Sequence, residues 1–108
     1  MDDLQTLKLA LRDFAAARDW AQFHSPKNLA SALSVEAAEL LEHFQWLTED
    51  QSKALPAGKR AEVADELADV LLYLIQIADK LDVDLLRAAT AKLEKNGRKY
   101  PPAAGAGK

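Results

Sequence analysis

Residues 28–47 read NLASALSVEAAELLEHFQWL, and their apolar positions decide what kind of chain this is. Leu29, Leu33, Leu40, Phe44 and Leu47 recur at spacings of three and four, with a single gap. That is the period of an amphipathic helix. Glu36 fills the gap. At about 100° per residue it projects within about 20° of Leu29 and Leu47, in the middle of the apolar stripe. Glu39 lies about 60° further round, on the flank of the same stripe. A carboxylate in a core-facing slot is costly unless something compensates it.

Three more helices are predicted around this one. The first spans about Asp3 to Arg18, with Leu4, Leu7, Leu11 and Phe14 on one face. RDWAQFHSPKN then breaks the period, and Ser25-Pro26 supplies a capping hydroxyl and a residue suited to the first helical position of the second helix, which is expected to reach about Thr48. TEDQSKALPAGK is a polar connection with room for one short helical turn. The third helix spans about Arg60 to Leu81, with an apolar arc over more than half its circumference, which predicts burial on several sides. Asp82 or Asp84 caps a fourth helix to about Asn96, and KYPP stops it. The expectation is an all-α bundle of four main helices in one domain, residues 1–101, with a loose tail over 102–108.

Composition agrees. The chain has 108 residues, 49% of them hydrophobic, with few glycines and prolines and no cysteine. One domain with a modest core fits that length. The absence of cysteine excludes disulfides and thiolate chemistry. A net charge of −3 offers no electrostatic footprint for duplex nucleic acid or an anionic membrane. The longest apolar run, VLLYLI at 70–75, is too short to span a bilayer. The acidic start is unlike a signal peptide. A soluble cytoplasmic protein is expected.

The third helix repeats the anomaly of the second. In EVADELADV, residues 62–70, Glu66 and Asp69 stand three apart at the edge of the apolar arc, in one column with Tyr73. The chain thus carries E-x-x-E at Glu36 and Glu39 and E-x-x-D at Glu66 and Asp69. Residues three apart share a helix face. Two such faces brought together gather four carboxylates, which repel unless protonated or joined by a cation. Oxygen-only ligation suits Mg²⁺, with Mn²⁺ as a substitute. Charged residues on helices are mostly solvated, and Glu42, Glu62 and Asp65 belong to that class. A redox di-iron bundle needs Glu-x-x-His on two helices, and His24 and His43 do not provide it.

A second cluster closes the fourth helix, where Lys92, Asn96 and Lys99 share a face beside Tyr100. Such groups hold phosphate oxygens, although lysines also favour helix C-termini for electrostatic reasons. Trp20 and Phe23 sit in the irregular segment beside His24, and Trp46 projects from the flank that carries Glu39. Aromatics there stack on a base or fill a core.

Together these features resemble the MazG-type all-α nucleoside triphosphate pyrophosphohydrolases. The carriers are E-x-x-E, about 27 residues, then E-x-x-D, with FAAARDWAQFHSPKNLASAL, FQW, DELADVLLYL and K-x-x-x-N-x-x-K-Y-P similar to the dCTP pyrophosphatase branch. The resemblance covers about Leu4 to Pro101. It implies a Mg²⁺-dependent enzyme that converts dCTP and related or modified deoxynucleotides to the monophosphate and pyrophosphate. It implies Glu36, Glu39, Glu66 and Asp69 as metal ligands and catalytic residues. Lys92, Asn96, Lys99 and Tyr100 match phosphate- and sugar-side positions. Trp20, His24, Trp46 and Tyr73 belong to the implied substrate pocket. It also implies a homodimer or homotetramer in which neighbouring subunits can complete one site.

Two positions depart from the pattern. Lys99 stands where relatives often have arginine, and Leu11 where the animal dCTP enzymes carry a histidine near the base. The alternatives are a broader enzyme acting on dATP, dUTP or non-standard nucleotides, and a non-catalytic helical oligomerisation module. No G-x-x-x-x-G-K-[ST] is present to cradle β- and γ-phosphates, and the histidines lack zinc-deaminase spacing. Attack at the α-phosphorus is the expected chemistry.

Overall fold

The computed structural model describes residues 3–103, and among them every regular element is helical. Helix α1 spans Leu4–Ala17, a 3₁₀ turn follows at Ala21–Phe23, and α2 spans Pro26–Glu42. The short α3 covers Glu49–Ser52, α4 is the long Ala57–Lys80, and α5 runs Leu85–Lys99. The expected tail over 102–108 lies mostly outside the described residues.

Local chemistry starts these helices. Asp3 Oδ1 accepts from the Thr6 N–H at 2.8 Å, Ser25 Oγ from Asn28 N–H at 3.1 Å, and Asp84 Oδ1 from Arg87 N–H at 3.1 Å. Each satisfies one donor that the first helical turn leaves free. The choice left open between Asp82 and Asp84 falls to Asp84.

The boundaries move where capping competes with periodicity. α2 ends at Glu42, not near Thr48. Thr48 caps α3 instead: its hydroxyl accepts from Gln51 N–H at 3.1 Å and the Gln51 amide oxygen accepts from Thr48 N–H at 2.9 Å. That reciprocal box needs an extended Thr48, ψ 166°, so no helix passes through it. α4 begins three residues early because Pro56 sits extended at its N-cap. α5 runs past Gly97 to Lys99, where Pro101 forces Tyr100 out of the helical region, to φ −123° and ψ 74°.

α1 and α4 end alike. Trp20 N–H donates to Ala15 O at 2.9 Å, and Val83 N–H to Ala78 O at 2.8 Å. Each bond closes a left-handed reversal at an aspartate, Asp19 with φ 55° and Asp82 with φ 56°. Glycine usually occupies this place.

The main packing contact joins α2 to α4, and α1 crosses α4 more lightly. Buried apolar side chains are Ala15, Leu29, Val63, Ile75 and Ala78, with Leu29 at 1% exposure. A two-pronged ion pair fastens α1 to α4: Arg12 Nε donates to Asp79 Oδ2 at 2.8 Å and Nη2 to Oδ1 at 2.6 Å. Those bonds hold the Asp79 carboxyl below the usual carboxylate range. The burial on several sides expected for α4 is met in part, by α2 and more lightly by α1. Leu67, Leu71 and Leu74 remain exposed, and α5 buries no residue at all.

Because glycine adopts φ > 0 without steric cost, Asp82→Gly is expected to stabilise the protein by about 1 kcal/mol. A urea midpoint below that of the parent would contradict the left-handed assignment.

Candidate metal centre

α2 and α4 bring their acidic residues face to face. One carboxylate oxygen from each of Glu36, Glu39 and Glu66 lies within 4.8 Å of the others, and all three side chains are half-buried. Glu36 and Glu39 are one turn apart on α2, and Glu66 comes from the middle of α4. Asp69, one turn beyond Glu66, is half-buried on the same helix but is not in this tight group.

The cluster lacks internal compensation. Oε2 of Glu36 and Oε2 of Glu66 are shut off from solvent with no hydrogen-bond partner among the described residues. Buried polar atoms are seldom left this way. Glu36 is pushed from 4.5 up to about 7, first by sharing a proton with Glu39, then by burial, then by contact with Glu66 and by the charge of both neighbours. No cation enters that balance. Three oxygen donors with two orphaned oxygens and no lysine or arginine fit a hard divalent cation in size and charge. Carboxylate oxygens suit hard cations better than metals that favour sulfur or imidazole.

The other expected site residues are spread over several elements. Trp20 lies between α1 and the 3₁₀ turn, 45% exposed, with its ring 5.7 Å from Phe14 and 6.5 Å from His24. The Arg18 guanidinium joins this group, 3.5 Å from the Phe14 ring centroid and 5.9 Å from that of Trp20. His24 also lines a cavity of about 100 Å³ with Leu11, Arg12, Gln76 and Asp79. That volume holds about three waters. Trp46 is 86% exposed in the turn after α2, while Tyr73 is half-buried on α4. Lys92, Asn96 and Lys99 lie on α5 with Tyr100 at its end, and Lys99 Nζ sits 5.2 Å from the Tyr100 ring centroid. A larger cleft, about 330 Å³ between the start of α1 and the α4–α5 turn, contains none of the expected site residues.

Two features were not singled out by sequence. Arg12 and Asp79 are 67 residues apart, and no local signal pairs them. His43 and Lys59 meet across the ends of α2 and α4, with Nδ1 3.2 Å from Nζ.

The raised Glu36 carboxyl gives a signed pH dependence. Between about 4.5 and about 7 the folded chain holds a proton that the unfolded chain has lost, so stability falls as pH rises through this window. In EDTA the melting temperature should drop from pH 5 to pH 8, and Glu36→Gln should flatten that slope. Mg²⁺ should restore the loss at pH 8. A metal-free parent and Glu36→Gln with the same slope would rule the cluster out as its source.

The chain is similar to known proteins over most of its length. The MazG-like family profile matches residues 31–107. dCTP pyrophosphatase 1 of Mus musculus is 44% identical over 100 residues, and that of Homo sapiens 43% over 102. Each alignment takes in 91% of this chain and 59% of the relative, so the chain spans about three-fifths of the length of the curated relatives it matches. A solved pyrophosphatase from Archaeoglobus fulgidus DSM 4304 superposes with a TM-score of 0.85 at 43% identity, covering 90% of this chain and 91% of that one. With its all-α fold and its facing acidic helices, the chain belongs to the MazG-like family.

Proposed function

We propose that this chain is a cytoplasmic nucleoside triphosphate pyrophosphohydrolase that converts dCTP and related deoxynucleotides to the monophosphate and pyrophosphate. One observation carries the reading: three carboxylates from two helices converge within 4.8 Å, and two of their buried oxygens have no partner. The names of the similar proteins, dCTP pyrophosphatase 1 and pyrophosphatase, support the choice of substrate and reaction.

Glu36, Glu39, Glu66 and Asp69 would hold Mg²⁺ or Mn²⁺. When bound, such an ion polarises a phosphoryl oxygen and lowers the pKa of a coordinated water. The residues of the chain do the rest. The four carboxylates would hold the ion, and one of them would accept the proton of the attacking water. Lys92, Lys99 and the Asn96 amide offset the charge of the triphosphate and of the departing pyrophosphate. Trp20, His24, Trp46, Tyr73 and Tyr100 line the base and sugar. Leu11 offers no hydrogen bond to a base, which favours testing several bases.

Assembly belongs to the same proposal. The described residues have a radius of gyration of 17.4 Å, against about 13 Å for a compact chain of this length. Leu67, Leu71 and Leu74 form an exposed stripe on α4, Leu41 is exposed on α2, and Leu86 and Leu93 on α5. Apolar surface on this scale marks an interface. A homodimer or homotetramer covers it and brings α5 cations to a neighbour's carboxylates.

A pyrophosphate-release screen over natural and modified nucleoside triphosphates should show activity with dCTP that needs Mg²⁺. Products should be dCMP and pyrophosphate in equal amounts, with ¹⁸O from labelled water in dCMP. Label in pyrophosphate, or dCDP as first product, would refute attack at the α-phosphorus. Glu39→Gln and Glu66→Gln should each lower the rate on the order of 100-fold with helix content kept. Light scattering at micromolar concentration should give the mass of two or four chains; a stable monomer would remove the assembly.

A further inference from the structure

His43 and Lys59 have no role in the site as described so far. The ammonium of Lys59 can only donate, so at 3.2 Å the Nδ1 of His43 must accept. The same ammonium lies 3.3 Å from Glu62 Oε2, one turn before Glu66. Lys59 stands in the first turn of α4, where the helix dipole disfavours a cation, yet it meets His43 at the C-cap of α2, where the dipole favours one. Its position makes electrostatic sense as a link between helices.

The register of that link matches the carboxylates. From His43 to Glu36 is seven residues back along α2, and from Lys59 to Glu66 is seven residues forward along α4. Two turns on each antiparallel helix, about 10 Å, separate one cross-helix pair from the other on the same seam. The seam thus holds a cation–imidazole contact at one end, the carboxylates next, and beyond them on α2 Leu29, 1% exposed. Carboxylates on facing helices push those helices apart. Apolar burial opposes the push on the Leu29 side. On the other side Val63 of α4 is buried but α2 buries no residue after Glu39, and His43–Lys59 is the side-chain hydrogen bond that joins the helices there among the described residues.

We propose that His43 and Lys59 are positioning residues for the metal centre: they hold the end of α2 against α4 at the spacing where Glu39 and Glu36 share one cation with Glu66. The inference rests on the metal reading given above.

Charge and position have opposite signs here, which makes the idea testable. Lys59→Met removes a positive charge near the cluster, so Coulomb's law alone predicts tighter Mg²⁺ binding. Loss of positioning predicts weaker binding. His43→Leu removes the acceptor and leaves the Lys59 charge in place, so it tests the geometric effect. The experiment titrates MgCl₂ into the full chain at pH 8 and follows the melting temperature. Lys59→Met and His43→Leu should each need about tenfold more Mg²⁺ for half of the stabilisation, the lower end of what outer-sphere partners contribute. His43→Gln, whose amide oxygen still accepts from Lys59, should stay near the parent value. A Lys59→Met midpoint at or below that of the parent, or an unmoved midpoint in His43→Leu, would overturn the proposal. Should His43→Leu melt too low to titrate, Lys59→Met decides alone, because its side chain is 40% exposed and its loss leaves no cavity. A parent that Mg²⁺ does not stabilise would remove the metal reading and this proposal together. A responsive parent with unshifted variants would remove this proposal only.

Discussion

Three carboxylates packed between two helices cannot all stay ionised and unpaired, and the α2–α4 pair is organised around that repulsion. Glu36 takes the largest share of the strain, since it projects from the centre of an apolar stripe and shares its proton with Glu39. An apolar residue at this position would pack better and bind nothing. Keeping three carboxylates where the fold favours apolar side chains costs stability at this point.

The remainder of the chain answers to the same pair of helices. α1 is fastened to α4 by the Arg12–Asp79 ion pair and carries Phe14 and Arg18 into the aromatic group around Trp20 and His24. α5 departs from α4 through a left-handed Asp82 and presents lysines and leucines to its surroundings. Only five apolar side chains are buried among the described residues, a small core for a chain of 108. The exposed leucines of α2, α4 and α5 are the counterpart of that small core. Burying them against further copies would supply the apolar contact that the separate chain lacks.

The legible parts of this protein were those carried by neighbours in sequence. Helix type followed from the three-four spacing of Leu29, Leu33, Leu40 and Phe44. The start of α2 followed from Ser25 and Pro26, and that of α5 was narrowed to Asp82 or Asp84. Glu36 stood out because a carboxylate interrupted an apolar stripe, and the E-x-x-E and E-x-x-D pairs are same-face neighbours by helical geometry alone. The extent of α2 was less legible, because the capping box at Thr48 and Gln51 competes with an apolar period that runs on to Leu47. The reversals at Asp19 and Asp82 were hidden because aspartate occupies a place where glycine is the usual signal.

What pairs with what across the helices was another matter. That Glu66, and not Asp69, joins Glu36 and Glu39 in the tight group depends on how far α4 slides along α2, and a side-chain period of 3.6 residues leaves several registers open. The same slide brings Lys59 to His43, and the crossing of α1 over α4 brings Arg12 to Asp79. Periodicity along one helix sets which residues share a face, since that is a property of a single backbone. Which faces meet, and at what height, is set by the packing of Leu29, Val63, Ile75 and Ala78, and that packing exists only once the chain has folded.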